Sequence, residues 1–88
     1  MEKGIRYKLI SFNGTIKPGK TCEPNENYWA LIGQSGKLIN FSQELKFGDN
    51  NRVLLKFDQD ITKQGLECHN QVSNALWILK TDLERLDL

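Results

Sequence analysis

The stretch from Tyr28 to Asp58 constrains the fold more than any other part of the chain. It reads Tyr-Trp-Ala-Leu-Ile-Gly-Gln-Ser-Gly-Lys-Leu-Ile, then a polar interval, then Arg-Val-Leu-Leu-Lys-Phe-Asp. Short apolar runs bounded by glycine and asparagine are what a small, curled antiparallel sheet needs. The pattern predicts a strand over Tyr28–Ile32, a turn through Gly33-Gln34-Ser35-Gly36, and a strand over Lys37–Phe41. The next strand is the clearest: Val53, Leu55 and Phe57 share one side, while Arg52, Lys56 and Asp58 share the other, so one face is core and one is wet. Leu54 is the exception to that alternation. Between these strands, the interval from Ser42 to Asn51 is short and polar and has room for one helical turn around Gln43-Glu44-Leu45.

The flanks extend the same theme. Ile5, Tyr7 and Leu9 alternate with Arg6 and Lys8, which predicts a first strand. The alternation slips at Leu9-Ile10, because Ile10 and Phe12 fall on the other parity, and a bulge or two covered faces would account for it. Asn13-Gly14 suits a tight turn, and Lys17-Pro18-Gly19-Lys20 suits a type II turn with glycine at the positive-φ position. Residues from Pro18 to Asn27 read as an exposed loop. Asp58 to Asn74 reads as a long connection with one tight helical turn near Asp60–Lys63. Ala75–Leu79 is short and almost wholly apolar, a fifth strand. Thr81-Asp82-Leu83-Glu84 fits a capping box, with Leu83 and Leu86 on one face, and predicts a short closing helix.

Composition sets the outer limits. Eighty-eight residues suit one domain, 1–88, since a chain this short cannot stock two separate cores. Twelve basic and eleven acidic side chains leave a formal charge of +1, too small a field to attract a polyanion or an anionic membrane by itself. No apolar run reaches signal-peptide or membrane-spanning length. The expectation is a protein of a bacterial-type cytoplasm. In that compartment the two cysteines, Cys22 and Cys68, are free thiols rather than a disulfide.

Three motif matches fail on chemistry. Gly14-Thr-Ile-Lys-Pro-Gly19-Lys20-Thr21 matches the phosphate-loop string G-x-x-x-x-G-K-T, but Cys22-Glu23-Pro24-Asn25 continues it with no amphipathic helix to present N–H groups to a phosphate. Asp58-Gln59-Asp60 opens like a calcium loop, yet Lys63 stands where glycine is needed and His69 where a bidentate glutamate is needed. Cys68-His69 lacks the further ligands of a zinc site, and neighbours on extended backbone point apart. No metal, cofactor or catalytic set is expected, and the chain reads as a non-enzyme.

Five short strands, a long first loop, the Gly33-x-x-Gly36 hairpin and a final Leu76-Trp77-Ile78 strand running into Asp82-Leu83-Glu84 resemble SH3-like small barrels. Within that pattern, Gly33–Ile39 followed by Arg52–Phe57 is similar to the hairpin and following strand of KOW and Tudor-type barrels. The fold expected is mostly β, a single SH3-like, partly open barrel of about five antiparallel strands with a short C-terminal helix. The resemblance implies a binding module that takes peptides, proteins or RNA through loops at one end; the function expected is a non-enzymatic protein-binding module, whether an adaptor, an assembly subunit or an inhibitor of another protein.

The residues that could serve such a module fall into two sets. Trp29 and Trp77 each read either as core filler or as an exposed platform. On the second reading Trp77 stands beside Tyr28 and His69, flanked by Glu23, Asn25 and Asn70 from the two neighbouring loops, and takes a protein partner. The alternative is RNA or DNA binding through the basic hairpin, with Lys37, Arg52 and Lys56 as the contact residues.

Overall fold

Val53, Leu55 and Phe57 anchor the molecule at its centre. All three are buried, with Val53 and Leu55 fully so, on a strand that is paired on both sides. The computed structural model describes residues 1–19, 21–41, 51–68 and 72–86. Among these residues lie five strands: β1 (Arg6–Leu9), β2 (Ser35–Phe41), β3 (Arg52–Phe57), β4 (Ala75–Leu79) and β5 (Leu83–Arg85). They form one antiparallel sheet in the order β4-β3-β2-β1-β5, with β4 and β5 at its open edges. The helical turns among the described residues are all of the tight 3₁₀ kind. The helical turn expected around Gln43-Glu44-Leu45 lies outside the described residues.

One face of the sheet builds the core. Tyr7 and Leu9 of β1, Leu38 of β2, the β3 triad and Leu76 and Ile78 of β4 pack together. Phe12, Leu31, Ile61 and Leu66 close over them from the loops. Cavity formation at a fully buried leucine such as Leu55 costs roughly 2–5 kcal/mol on truncation to alanine, a large share of the stability of a domain this small. The other face carries Arg6, Lys37 and Lys56 in register across three strands. Beside that row, Leu54 pairs with Trp77. This explains Leu54 as the exception to the alternation: it points away from the core cluster yet is 3% exposed.

β2 and β3 approach unusually closely at Gly36. A Cβ there would lie 2.4 Å from the Lys56 carbonyl oxygen, nearer than packed atoms allow, so this glycine is a packing requirement rather than a turn residue. Gly33 supplies the turn instead, with φ of +97°. Further along, the register shifts between Leu38 and Asn40, so that two β2 residues oppose Leu54 and the strand bends.

Two expected elements take other forms. Tyr28–Leu31 is a 3₁₀ turn, not a strand, tied by Ala30 N–H to the Asn27 carbonyl and Ile32 N–H to the Trp29 carbonyl. A strand would send Tyr28 and Ile32 to the face opposite Trp29 and Leu31. The turn lets all four pack against the core, and β1 already has partners on both edges. The closing helix is also absent. Lys80–Asp82 makes a 3₁₀ turn and Leu83–Arg85 pairs with β1. A segment so short gains little as an isolated helix, whereas β1 offers it a row of backbone partners. The sheet therefore has the expected number of strands, with the last taking the place of the expected second.

The remaining turns follow the sequence more closely. Asn13 and Gly14 both have positive φ, 50° and 80°, between the bridged residues Phe12 and Thr15, which is the backbone of a type I′ turn. Thr62–Gln64 forms the tight turn expected in the long connection, and the carboxylate of Asp60 just before it accepts from Thr62 N–H and Oγ1. Gly19, by contrast, is not among the positive-φ glycines; the chain turns there with Cys22 N–H donating to its carbonyl. The slip after Leu9 is resolved by ending β1, with Ile10 N–H donating to the Asp82 carbonyl.

Candidate functional site

The long first loop, from Ile10 to Gln34, holds the largest concentration of aromatic side chains. Phe12 leaves β1 on the parity that turns it under the loop, and the 3₁₀ turn brings Tyr28 and Trp29 to it. The Phe12 ring lies 4.9 Å from Trp29, edge to face, and 5.5 Å from Tyr28, tilted. Such geometry favours aromatic pairs beyond simple area burial. The three rings floor an open cleft of about 460 Å³, whose walls include Asn13, Thr21, Cys22, Glu23 and Glu26.

Each ring is fixed by a hydrogen bond or by burial. Trp29 Nε1–H donates to Thr15 Oγ1 at 2.9 Å. The Tyr28 hydroxyl donates to the Glu67 carbonyl at 2.6 Å, and Glu67 N–H donates to the Asn25 carbonyl at 2.9 Å. These two bonds bind the first loop to the segment before β4. The Tyr28 hydroxyl titrates above its ordinary range because burial disfavours the tyrosinate and the charges of Glu26 and Glu67, with Cys68, oppose it further.

Asp82 holds the tip of the loop. It is 1% exposed, and its carboxylate accepts from Ser11 Oγ at 2.5 Å, Asn13 N–H at 2.8 Å and Gly14 N–H at 3.0 Å. A buried carboxylate is tolerated only when its oxygens are well paired, and here the donors include the two backbone N–H groups of the turn itself. Arg52 reinforces the same turn, donating to Asn13 Oδ1 at 3.0 Å and to the Trp77 carbonyl at 3.3 Å.

Tyr28 and Glu23 line the cleft, and Asn25 sits behind them through its bond to Glu67. The loops around Glu23–Asn27 and Glu67 do come together. Trp77 does not join this group: it stands on the outer face of β4, in register with Leu54, while Trp29 lines the cleft. Both tryptophans are partly buried. His69 and Asn70 lie outside the described residues. Lys37 and Lys56 are exposed and directly opposite each other, whereas Arg52 is partly buried and engaged with Asn13.

Phe12, Thr15, Cys22 and Asp82 belong to the cleft or its support without having been singled out. Phe12 had a signal, since an aromatic on the wrong parity next to an Asn-Gly turn has to fold back. Asp82 had none, because nothing in Thr-Asp-Leu distinguishes a buried acceptor from a solvated acid. Cys22 and Cys68 are both free thiols. Among the described residues, no group of histidine, cysteine and carboxylate side chains could hold a metal ion, and no helix is long and apolar enough to cross a membrane. The carboxylates of the calcium-like string are engaged elsewhere: Asp58 with Arg6 and Ser35, Asp60 with its own turn. No protein-family model matches the chain, and neither a curated protein nor a solved structure is significantly similar to it.

Proposed function

We propose that the chain is a non-enzymatic protein-binding module on an SH3-like framework, and that its docking site is the first-loop cleft. The strand order, the long loop after β1 and the 3₁₀ turn that leads into the edge strand β5 support the SH3-like reading. The observation that carries the function is the aromatic floor of Phe12, Tyr28 and Trp29 in an open cleft bordered by Glu23 and Glu26. Interfaces draw most of their energy from a few rigid aromatic residues that exclude water. Here the rings are held by Thr15, Glu67 and, through the turn, Asp82, so little ordering cost remains at the moment of docking. The acidic rim favours a partner segment that is apolar with a basic residue beside it.

A photo-crosslinking residue placed at Glu23 is expected to capture a partner in cells, and Trp29→Ala is expected to abolish the crosslink while the sheet remains folded. Lys37→Glu, on the opposite face, is expected to leave the crosslink intact. A crosslink that survived Trp29→Ala in a folded protein but disappeared with Trp77→Ala would move the site to the outer face of β4.

A further inference from the structure

The outer face of the sheet has a feature that folding alone does not account for. Lys37 and Lys56 are cross-strand partners, both exposed, and residues directly opposite on one face hold their Cβ atoms only about 5 Å apart. Like charges so placed are destabilising. On the other side Lys37 is in register with Arg6, which extends the row to three positive side chains across β1, β2 and β3. The acid beside this row is Asp58, which already bonds to Arg6 and Ser35. Burial pushes the Asp58 carboxyl up, but hydrogen bonds from Ser35 and Arg6 and the charges of Arg6 and Lys37 together hold it below its ordinary range. Another charged pair on this face, Lys8 with Glu84, is one row away and neutral as a unit. Next to Lys56, on the edge strand, Trp77 occupies the diagonal position beside Leu54. Among the described residues, two lysines and one aromatic ring therefore share neighbouring positions on one face.

We infer that this face, with Lys37 and Lys56 as the phosphate contacts and Trp77 as the stacking surface, is a binding site for single-stranded nucleic acid, separate from the first-loop cleft. The chemistry matches what a single strand requires. Its phosphates need cations at successive positions, its unpaired bases need a flat ring, and neither contact depends on base sequence. Exposed lysines directly opposite each other, with Cβ atoms about 5 Å apart, can share one phosphate or engage two neighbouring ones, and the anion removes the repulsion between them. Trp77, partly buried, lies on the edge strand beside them, and among the described residues no further strand pairs with β4 on that side. Arg52 takes no part, because its guanidinium is turned to Asn13 and the Trp77 carbonyl.

The test is fluorescence anisotropy of labelled oligo(U) and oligo(dT) of roughly ten nucleotides against the full chain, read together with tryptophan emission in a Trp29→Phe background, where Trp77 alone emits. Binding is expected to weaken roughly tenfold between about 50 and about 200 mM salt, the dependence of two to three neutralised phosphates on a single strand. Trp77 emission is expected to be quenched on saturation. Lys56→Glu is expected to lower affinity at least tenfold and yet raise the melting temperature, because it replaces a repulsive cross-strand pair with an attractive one. That opposite movement separates loss of the site from loss of the fold. Glu23→Lys, in the cleft, is expected not to weaken binding. No binding at low salt would overturn the inference, as would binding indifferent to Lys37→Glu and Lys56→Glu. It would also be overturned if polyglutamate competed as well as the oligonucleotides with Trp77 emission unchanged, since the face would then be a general anion exchanger.

Discussion

Asp82 Oδ2 accepts the Asn13 N–H at 2.8 Å, and through that bond the turn leading into the last strand fixes the tip of the first loop. The same carboxylate reaches Gly14 N–H and Ser11 Oγ, so the approach to the edge strand β5 and the cleft geometry depend on one side chain. Asp82→Ala removes hydrogen bonds to a charged acceptor and leaves turn N–H groups to find water, a loss of about 2–4 kcal/mol. Urea unfolding is expected to show a lower midpoint with an unchanged slope. The fluorescence of Trp29 is expected to shift to the red as the loop loosens. A variant with wild-type midpoint would show that the turn holds itself.

Gly36 makes a second prediction, because its environment is defined by distance. Any Cβ there meets the Lys56 carbonyl and the Phe57 Cα at under 3 Å, and both belong to backbone that cannot swing aside. Gly36→Ala forces β2 and β3 apart at the centre of the sheet. The expected cost is about 2–3 kcal/mol, in the range of overpacking in a tight core, and amide exchange is expected to accelerate in β2 and β3 before it does in β5. Gly33→Ala is a useful contrast, since it strains a positive φ in open space and is expected to cost about 1 kcal/mol.

Asp82 and Gly36 both act on backbone distant in sequence, which their own neighbours do not record. The period-two pattern of Val53, Leu55 and Phe57 survives in the structure because burial on one face of a strand is written directly into alternation. Tyr28–Ile32 has the composition of a strand, but whether it pairs depends on which other segments compete for the edges of β1, and that is decided by the whole chain. The Thr81-x-x-Glu84 string was misleading for the same reason: a local helix signal worth a fraction of a kcal/mol per contact competed with a full ladder beside β1. Glycine at position 36 was visible, but not its purpose, since close approach of two backbones leaves no mark in either strand's own sequence. The cleft was half legible: Tyr28 and Glu23 stood out as aromatic and acidic loop residues, while Asp82 and Thr15 act only through distant partners.

The Tyr28 hydroxyl yields a prediction with a definite sign. Its pKa is raised in the folded protein, first by burial and then by Glu26, Glu67 and Cys68. A group whose folded pKa exceeds its unfolded value contributes stability in full below the unfolded value and loses it as pH rises through the folded one. Stability is therefore expected to fall above about pH 10, where the unfolded chain releases the proton that the folded chain retains. Tyr28→Phe is expected to remove that component of the alkaline loss while costing about 1 kcal/mol at neutral pH for the missing bond to the Glu67 carbonyl. Ultraviolet titration at the tyrosinate band, compared between the two proteins, isolates the Tyr28 step from that of Tyr7. A Tyr28 step at or below the ordinary tyrosine range would contradict the burial argument.

Thr15 offers the most direct route from structure to the proposed docking function. Its hydroxyl accepts from Trp29 Nε1–H and has its single proton within reach of the carbonyls of Phe12 and Lys17, so one oxygen aligns the largest ring of the cleft with the loop that carries it. Thr15→Val keeps the shape and removes the acceptor. The indole N–H then lacks its partner and the ring is free to rotate about its χ angles. The expected loss of stability is small, about 1 kcal/mol, but partner capture through the Glu23 crosslink is expected to drop several-fold because the ring has to be ordered again on docking. Thr15→Ser retains the acceptor and is expected to retain capture. If valine and serine at this position behaved alike in the crosslinking assay while differing in Trp29 fluorescence, the orientation of Trp29 would be irrelevant to docking, and the cleft would lose its claim to be the site.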